Sequence, residues 1–388
     1  EPTSTRKSTK QSKSKDKSKP LSSPQPLPTL FDLPICKPLH HQPENELPLW
    51  GHSLETIDPD KTLRIILQNP NGIKTNLSDH DFHFSLSTCH QIGAGILCLA
   101  ETNTNWNMLT QPSNTHRIMR KVWTTSNLQV SQGKESFKSS YQPGGTLTAI
   151  VGRWTSRVIS KGVDPHGLGR WSYITIRGKG DKIITVITGY RVCSSTLGSI
   201  GEKTAYKQQF RHLSQKWREH NFSTTPDPHR QFILDLQSWI EALISKNHEI
   251  ILSLDNNEDI TLHEGTRTPI ISDSSKPVLS TTHDGSLTSL AQTCGLLDIL
   301  GKQHSERPFP ATYSRGKKRL DYILVSSSIA HSVTHSGILP YQSIFHSDHR
   351  ACYIDIDPDI LFQESTHEIL PPCRRGLQLT DPRKVNKY

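Results

Sequence analysis

Residues 250–258 read Ile-Ile-Leu-Ser-Leu-Asp-Asn-Asn-Glu, and this stretch decides the fold. Ile250, Ile251 and Leu252 are apolar on consecutive positions, as in a strand covered on both faces rather than wet on one. The run then breaks into four polar residues, Asp255 to Glu258. A buried strand that ends in carboxylates and amides delivers them to one rim of a layered body, where function is usually carried.

The same pattern recurs along the chain. Short β-rich runs occur at 63–68, 96–99, 146–151, 171–176, 183–188, 320–325 and 352–356. The first closes on Gln68-Asn69-Pro70-Asn71-Gly72, the second on Glu101-Thr102-Asn103, and the run at 183–188 on Gly189-Tyr190-Arg191. Leu320-Asp321-Tyr322 opens another strand, and Ser347-Asp348-His349 precedes the last. Helical patterns lie at 204–219, at 285–297 and, most clearly, at 228–246. There Phe232, Leu236, Trp239, Ile240 and Leu243 follow Pro228 at helical spacing. Hairpin-like strands mixed with fewer helices predict an α/β sandwich with mixed or antiparallel sheets. No internal repeat is present.

Composition sets the bounds. The chain has 388 residues, of which 33% are hydrophobic and 21% charged. That is polar for a globule, so part of the chain is expected outside the folded body. No run approaches the roughly 18 apolar residues of a spanning helix. The Lys/Ser/Thr-rich start lacks the apolar segment of a secretory signal. Seven cysteines include no C-x2-C pair, which argues against a zinc ribbon and for reduced thiols. An intracellular protein without membrane contact is expected.

Residues 1–60 hold 10 of the 25 prolines and read as a disordered Lys/Ser/Pro-rich tail. The lysines from Lys7 to Lys19 suit either a nuclear-import or DNA-tethering patch or a solvated tail. The tail is charge-neutral, so the net +9 belongs to residues 61–388. A basic body points to a polyanionic partner. The folded domain is expected at 61–357. Residues 358–388, with Pro371, Pro372, Arg374 and Arg375, read as a linker, and the end at Tyr388 suits a fragment of something longer.

Each polar motif has an ordinary reading by itself. Asn69-Pro70-Asn71-Gly72 and Asp255-Asn256-Asn257 are good turn chemistry. Glu101 suits an exposed loop, Tyr190 a half-buried wall, Asp321 an open strand face and Asp348-His349 a surface pair. Their order along the chain is far more specific. The succession N-x-N-G, E-T, G-Y, D-x-N, L-D-Y, S-D-H resembles the endonuclease/exonuclease/phosphatase superfamily over roughly residues 65–357. Asn71, where apurinic/apyrimidinic repair endonucleases usually carry Asp, looks like the endonuclease domains of non-LTR (LINE-type) retrotransposons. So do the segments Ala311-Thr312-Tyr313-Ser314-Arg315 and Lys318-Arg319-Leu320-Asp321-Tyr322. The end of the chain, Arg374-Arg375-Gly376-Leu377 through Asp381-Pro382-Arg383, looks like the lead into a reverse transcriptase. The chain departs from the family at Leu254 (usually Gly), at Ala100 (commonly Gln), at Pro70 and in a long 191–248 segment.

The resemblance implies a four-layer α/β sandwich, two mixed β-sheets packed face to face and flanked by helices. It also implies a Mg2+-dependent DNA endonuclease, with Mn2+ as a substitute ion. Mg2+ prefers oxygen ligands, and Glu101, the amide oxygen of Asn69 and Asp348 are the expected set. Asp255 would be the base, with Asn257 holding water or phosphate. An ordinary carboxylate pKa near 4 makes it ionised but weak. His349 would donate to the phosphate, oriented and kept charged by Asp321. Tyr190 and Asn71 would complete the cluster. A basic rim for DNA is expected from Arg170, Arg191, Arg315, Lys317, Lys318 and Arg319, with Arg153 and Arg157 as further candidates. Trp106 and Trp171 fit a packed core better than base stacking. A nuclear location follows from such a function. Repair-type cleavage at abasic sites, another phosphoesterase activity and a catalytically dead DNA-binding relic are the alternatives.

Overall fold

The computed structural model describes residues 48–362, apart from 59–60, 74–79, 109–112, 136–138, 194–200, 222 and 261–284. The Lys7–Lys19 patch and the segment beyond 362 lie outside the described residues.

Consecutive apolar residues became strands. In chain order these are β1 (Trp50–Gly51), β2 (Leu63–Gln68), β3 (Ala94–Ala100), β4 (Ser126–Ser131), β5 (Thr146–Val151), β6 (Val158–Val163) and β7 (Trp171–Arg177). There follow β8 (Ile183–Tyr190), β9 (His248–Asp255), β10 (Leu296–Asp298), β11 (Asp321–Ser326), β12 (Val333–Ile338) and β13 (Cys352–Ile356). The helices are α1 (His80–Gln91), α2 (Ser113–Val122), α3 (Ala205–Glu219), α4 (Pro228–Ile244), α5 (Leu287–Thr293), α6 (Ile299–Gln303) and α7 (Pro358–Phe362).

One sheet has the order β1-β12-β13-β2-β3-β5-β4 and the other β10-β11-β9-β8-β7-β6. Both are mixed: β2 runs parallel to β3 and β8 parallel to β9, while the other pairs are antiparallel. Each parallel pair needs a crossover. α1 supplies the first. α3 and α4 supply the second, which accounts for the long segment between Arg191 and His248. Thr204 caps α3 through its side chain, and Asp227 caps α4 ahead of Pro228.

The two sheets meet through Leu63, Ile65, Leu67, Ile96 and Cys98 of one and Ile174, Val186, Ile251 and Ile323 of the other. The outer face of the first sheet, with Ile66, Leu97 and Leu99, packs on Phe82, Leu86 and Met119 of α1 and α2. On the outer face of the second, Ile187, Ile250 and Leu252 pack on Phe232, Leu236, Ile240 and Leu290 of α4 and α5. This is the four-layer sandwich expected. No helix among the described residues is long and apolar enough to cross a membrane.

Two boundaries differ from the sequence reading. Residues 48–58 belong to the body: Trp50 pairs with Ile338, Arg350 donates to the Pro48 carbonyl, and the Tyr353 hydroxyl donates to the His52 carbonyl. At the other end Leu361 and Phe362 are buried beyond residue 357, with Phe362 stacked 5.7 Å from Trp154. A short strand and a one-turn helix carry too little apolar periodicity to announce themselves.

Candidate active site

The polar strand ends converge at one end of the sandwich. In the second sheet Tyr190 pairs with Asp255, and Asp255 pairs with Asp321, so three adjacent strands place three of the candidate side chains on one rung. The first sheet contributes Asn69 after β2, Glu101 after β3 and His349 ahead of β13. The Asn69 amide joins the sheets: its Nδ2 donates to Glu101 Oε2 and to Asp255 Oδ2, both at 2.8 Å. Beside it, His349 Nδ1 lies 2.9 Å from Asp321 Oδ2. Asn71 Nδ2 donates to Asp348 Oδ1 at 3.3 Å. The backbone N–H of Asn257 donates to Asp255 Oδ1 at 3.0 Å.

The backbone here is strained. Asn71 (φ 49°), Glu101 (φ 48°), Asn103 (φ 47°) and Asn257 (φ 51°) are all left-handed. Asparagine tolerates this conformation, but for Glu101 it costs roughly 1–2 kcal/mol. The loop after β3 is pinned to offset that. Thr102 N–H donates to the Gly145 carbonyl at 3.1 Å, Asn103 N–H to the Gly144 carbonyl at 2.8 Å, and Gly144 N–H to Asn103 Oδ1 at 2.8 Å. Gly145 must be glycine: its φ is +83° and a Cβ would sit 2.7 Å from the Ser131 carbonyl oxygen.

Burial and charge set the protonation. Asp255 and Asp321 are fully buried. Burial first, then the charges of Asp321 and Glu101, push the Asp255 carboxyl up to about 7, against the opposing pull of His349 and the Asn69 amide. Asp255 is therefore a far better matched base near neutrality than an ordinary carboxylate. For His349 burial pulls the pKa down, but the charges of Asp321, Asp255 and Asp348 overcome it and raise it to about 10. His349 is an imidazolium at neutral pH and can donate to an anion. Burial and the neighbouring Glu101 raise Tyr190 well above its ordinary value, so its phenol keeps its proton.

Whether these residues fit a divalent cation is decided by the donors. Among the described residues, Asp321 Oδ1 is a buried carboxylate oxygen without a hydrogen-bond partner. One ligand atom each from Asp255, Asp321 and His349 lies within 4.8 Å of the others. His349 is protonated and bonded to Asp321, so the carboxylates carry the capacity to bind. Glu101, half-buried at the mouth with two oxygens facing amide donors, is a hard-oxygen ligand of the kind magnesium takes. The site fits such a cation. As placed here, Asn69 donates through Nδ2 to both carboxylates, and its Oδ1 accepts the Asn71 N–H at 2.7 Å.

The expected basic rim is half corrected. Arg170, Arg191 and Arg319 are buried, not on a rim. Arg170 is paired with Asp164 and Asp235, Arg191 with Glu258, and Arg319 with Asp298 through two bonds of 2.6 and 2.8 Å. Their positions next to the motifs reflect bracing of the site. Arg315, Lys317 and Lys318 are exposed, and Arg315 lies 3.8 Å from Asp348. The hairpin that carries them is held to the centre by the Tyr313–His349 bridge. Between this hairpin and the 341–348 loop lies a cavity of about 320 Å3, bounded by Asn71, Arg315, Tyr341, His346 and Asp348. Arg153 and Arg157 follow the far end of β5, away from the site. Trp106 and Trp171 are buried, and Trp171 packs on Phe232 and Trp239.

Sequence reasoning missed three supports. Asn103 bonds Glu101 at 3.5 Å, the Thr312 hydroxyl accepts from Leu320 N–H at 2.9 Å and Asp321 N–H at 3.3 Å, and Cys193 donates to Asn257 Oδ1 at 3.1 Å. Asn103 and Thr312 stood in segments already singled out, whereas Cys193 did not.

No family model and no curated protein sequence matches this chain. Among solved structures, the AP endonuclease LMAP from Leishmania major is similar at a TM-score of 0.50 and 16% identity, covering 80% of this chain and 93% of that one. The APE2 catalytic domain of Xenopus laevis gives a TM-score of 0.49 at 18% identity, covering 77% and 96%. The Neisseria 3′ phosphatase NExo, bound to a product DNA hairpin, gives 0.48 at 16%, covering 76% and 99%. The architecture is a four-layer α/β sandwich similar in fold to that of the Leishmania AP endonuclease. At this identity the likeness is one of fold, and the chemistry must be argued from the site itself.

Proposed function

We propose that this chain is a divalent-metal-dependent phosphodiester hydrolase, a DNA endonuclease that nicks target DNA for a non-LTR retroelement. The carrying observation is the Asn69 amide that ties Glu101 to Asp255 beside the charged His349–Asp321 pair. That cluster provides a base matched to neutral pH, a cationic donor for an anion and, in Glu101 and the unpartnered Asp321 Oδ1, carboxylate oxygens able to hold a metal.

A phosphodiester resists attack because its charge repels the nucleophile and its alkoxide leaves poorly. Asp255 takes the proton of the attacking water, and Asn257, fixed by its own backbone bond to Asp255, holds that water or a phosphate oxygen. His349 donates to a phosphate oxygen as charge builds, with Asp321 setting the ring's orientation. Tyr190 offers its phenol from the same rung, and Asn71 completes the rim with Asp348. Glu101 would hold the cation, Mg2+ or Mn2+, whose chemistry is to neutralise phosphate charge and stabilise the leaving oxygen. Arg315, Lys317 and Lys318 would bind the backbone of DNA near the mouth.

Two of the departures, Leu254 and Ala100, place no side chain among these polar groups. Leu254 packs with Phe232 on the outer face of the second sheet, and Ala100 packs beside Tyr190. Their placement supports an active enzyme over a dead relic. Asn71 supports the retroelement reading over abasic repair, with nuclear DNA as target and a reverse transcriptase domain as companion.

The test is nicking of supercoiled plasmid with Mg2+, with EDTA and with Asp255→Ala. Nicking that needs both metal and Asp255 supports the proposal, and a folded protein that never nicks overturns it. Preference for an abasic duplex over intact plasmid would move the assignment to repair.

A further inference from the structure

The positive charge of this body is not concentrated where the chemistry is. Residues 102–163 contain eight Lys/Arg against one acid, Glu135, so this stretch holds +7 of the chain's net +9. Glu135 itself lies past the mouth end of β4 and is paired with Arg211 at 2.6 Å. Most of the bases lie toward the other end. α2 carries Arg117, Arg120 and Lys121, the last two in its final turn. Arg153 and Arg157 lie in the 3-10 turn after β5, Lys161 on β6 and Arg177 at the end of β7. Arg117, Arg120, Lys121, Arg153, Lys161 and Arg177 are exposed.

These bases gather in two groups, Arg153, Arg157 and Arg177 in one and Arg120 and Lys161 around His116 in the other. Arg153 and Arg177 both depress Arg157, after burial, and Lys161 and Arg120 both depress His116, after burial. Between them lies a cavity of about 340 Å3, lined by Arg120, Thr124, Thr125, Ser126, Asn127 and Thr155. It lies within the size range of small-ligand sites, about 300–1,000 Å3. Hydroxyls, an amide and an arginine are the groups that contact phosphate and sugar in nucleic-acid complexes. The large apolar side chains exposed toward this end among the described residues, Ile159, Ile244 and Ile360, sit singly on β6, α4 and α7. A membrane-binding face would set several apolar groups beneath its bases.

We infer that this rear face is a second nucleic-acid site, one that grips the sugar–phosphate backbone of a single strand other than the strand cut at the mouth. Geometry separates the two. Ser131 and Thr146 adjoin the catalytic end, while Ser126 and Val151 adjoin the rear cavity. Six-residue strands at about 3.3 Å per residue set the ends roughly 17 Å apart. A straight duplex lying across the mouth does not reach the rear cavity. A cavity of about 340 Å3 takes a group of the size of one nucleotide rather than a double helix, which suits one strand. This inference rests on the charge and shape of the rear face and not on the proposed nuclease.

The test uses the full chain in EDTA, with a fluorescent 20-nucleotide single strand, as RNA and as DNA, followed by anisotropy over a salt series. The variant is Arg120→Glu/Lys121→Glu/Arg153→Glu, with Arg120→Gln/Arg153→Gln as a milder second, both checked by thermal melting. The charge reversal is expected to weaken strand binding at least tenfold at 0.1 M salt. The milder pair should flatten the salt dependence by about 0.7 for each phosphate no longer neutralised. Plasmid nicking is measured in parallel and reads the mouth, so failure of the nuclease proposal shows there and not here. Strand binding equal to wild type in both folded variants overturns the inference. So does equal binding of poly-L-glutamate, or binding of phosphatidylserine vesicles in place of either strand.

Discussion

Asp255 and Asp321 stand directly opposite each other in the β9–β11 ladder, both with no exposed surface. Like-charged residues in a directly opposed pair are unfavourable in a sheet, and more so out of water. The fold accepts this because each carboxylate has a separate counterweight: the Asn69 amide on Asp255 and the His349 ring on Asp321. The arrangement gives a proton acceptor and a proton donor a few ångströms apart, at a cost in stability.

That cost is measurable. The folded Asp255 carboxyl titrates at about 7, above the ordinary carboxylate value near 4. Between these values the native state holds the proton that the unfolded chain releases, so its contribution to stability falls as pH rises from 4 to 7. Asp255→Asn removes the penalty and should stabilise the metal-free protein at pH 8 by on the order of 2 kcal/mol, or several degrees in Tm. The gain should vanish near pH 4, while nicking falls by about 10²–10⁴. Calorimetry at both pH values checks it, and a lower Tm at pH 8 would contradict the assignment of Asp255 as the strained base.

The His349–Asp321 pair has its own pH window. His349 titrates at about 10 in the fold, against about 6.5 in an unfolded chain. Its stabilising contribution is complete below 6.5 and is lost as pH rises through 10. Asp321→Asn should lower the His349 pKa, read directly by NMR of the ring. Nicking by that variant should then decline above pH 7, where wild type still holds an imidazolium. An unshifted ring would show that Asp321 does not govern it.

Glu101 makes a separate prediction about metal. Its carboxylate is half-buried at the mouth, and its left-handed backbone is held by the Gly144–Gly145 loop. Glu101→Gln preserves shape and removes charge. The half-saturating Mg2+ concentration should rise at least tenfold, and Mn2+ binding followed by spin resonance should weaken in step. Thermal stability without metal should change by less than about 1 kcal/mol, since the residue is partly solvated.

Strands buried on both faces were legible in the sequence, because runs such as Leu63–Gln68 and Thr146–Val151 carry their signal on every residue. The strands not foreseen include β1, β4, β6 and β10, the four sheet edges. Edge strands stay short or polar to discourage further pairing, as Ser126-Asn-Leu-Gln-Val-Ser does. At the site, Asn69, Glu101, Tyr190, Asp255 and His349 lie together as their motif order implied. What the order does not contain is which way a long side chain turns. Arg170, Arg191 and Arg319 adjoin the motifs in sequence yet fold inward onto acids, and a basic residue beside a motif carries no mark of its depth.

The inward turn leads to the last prediction, which separates bracing from binding. Arg319 is 2% exposed, makes two bonds to Asp298 and lies 4.3 Å over the rings of Phe309 and Tyr322. Arg319→Gln leaves Asp298 buried without its charge partner and should cost about 3–5 kcal/mol. The salt dependence of DNA binding by the surviving folded fraction should stay as in wild type. Lys317 and Lys318 are exposed two and one residues earlier. Lys317→Gln/Lys318→Gln should change stability by less than about 0.5 kcal/mol. It should nevertheless flatten the salt dependence of duplex binding by about 0.9 for each phosphate that the lysines had neutralised. Denaturant titration and anisotropy on the same two variants read both quantities. A stable Arg319→Gln with weakened, less salt-dependent binding would put Arg319 back on the DNA surface that its sequence neighbours suggested.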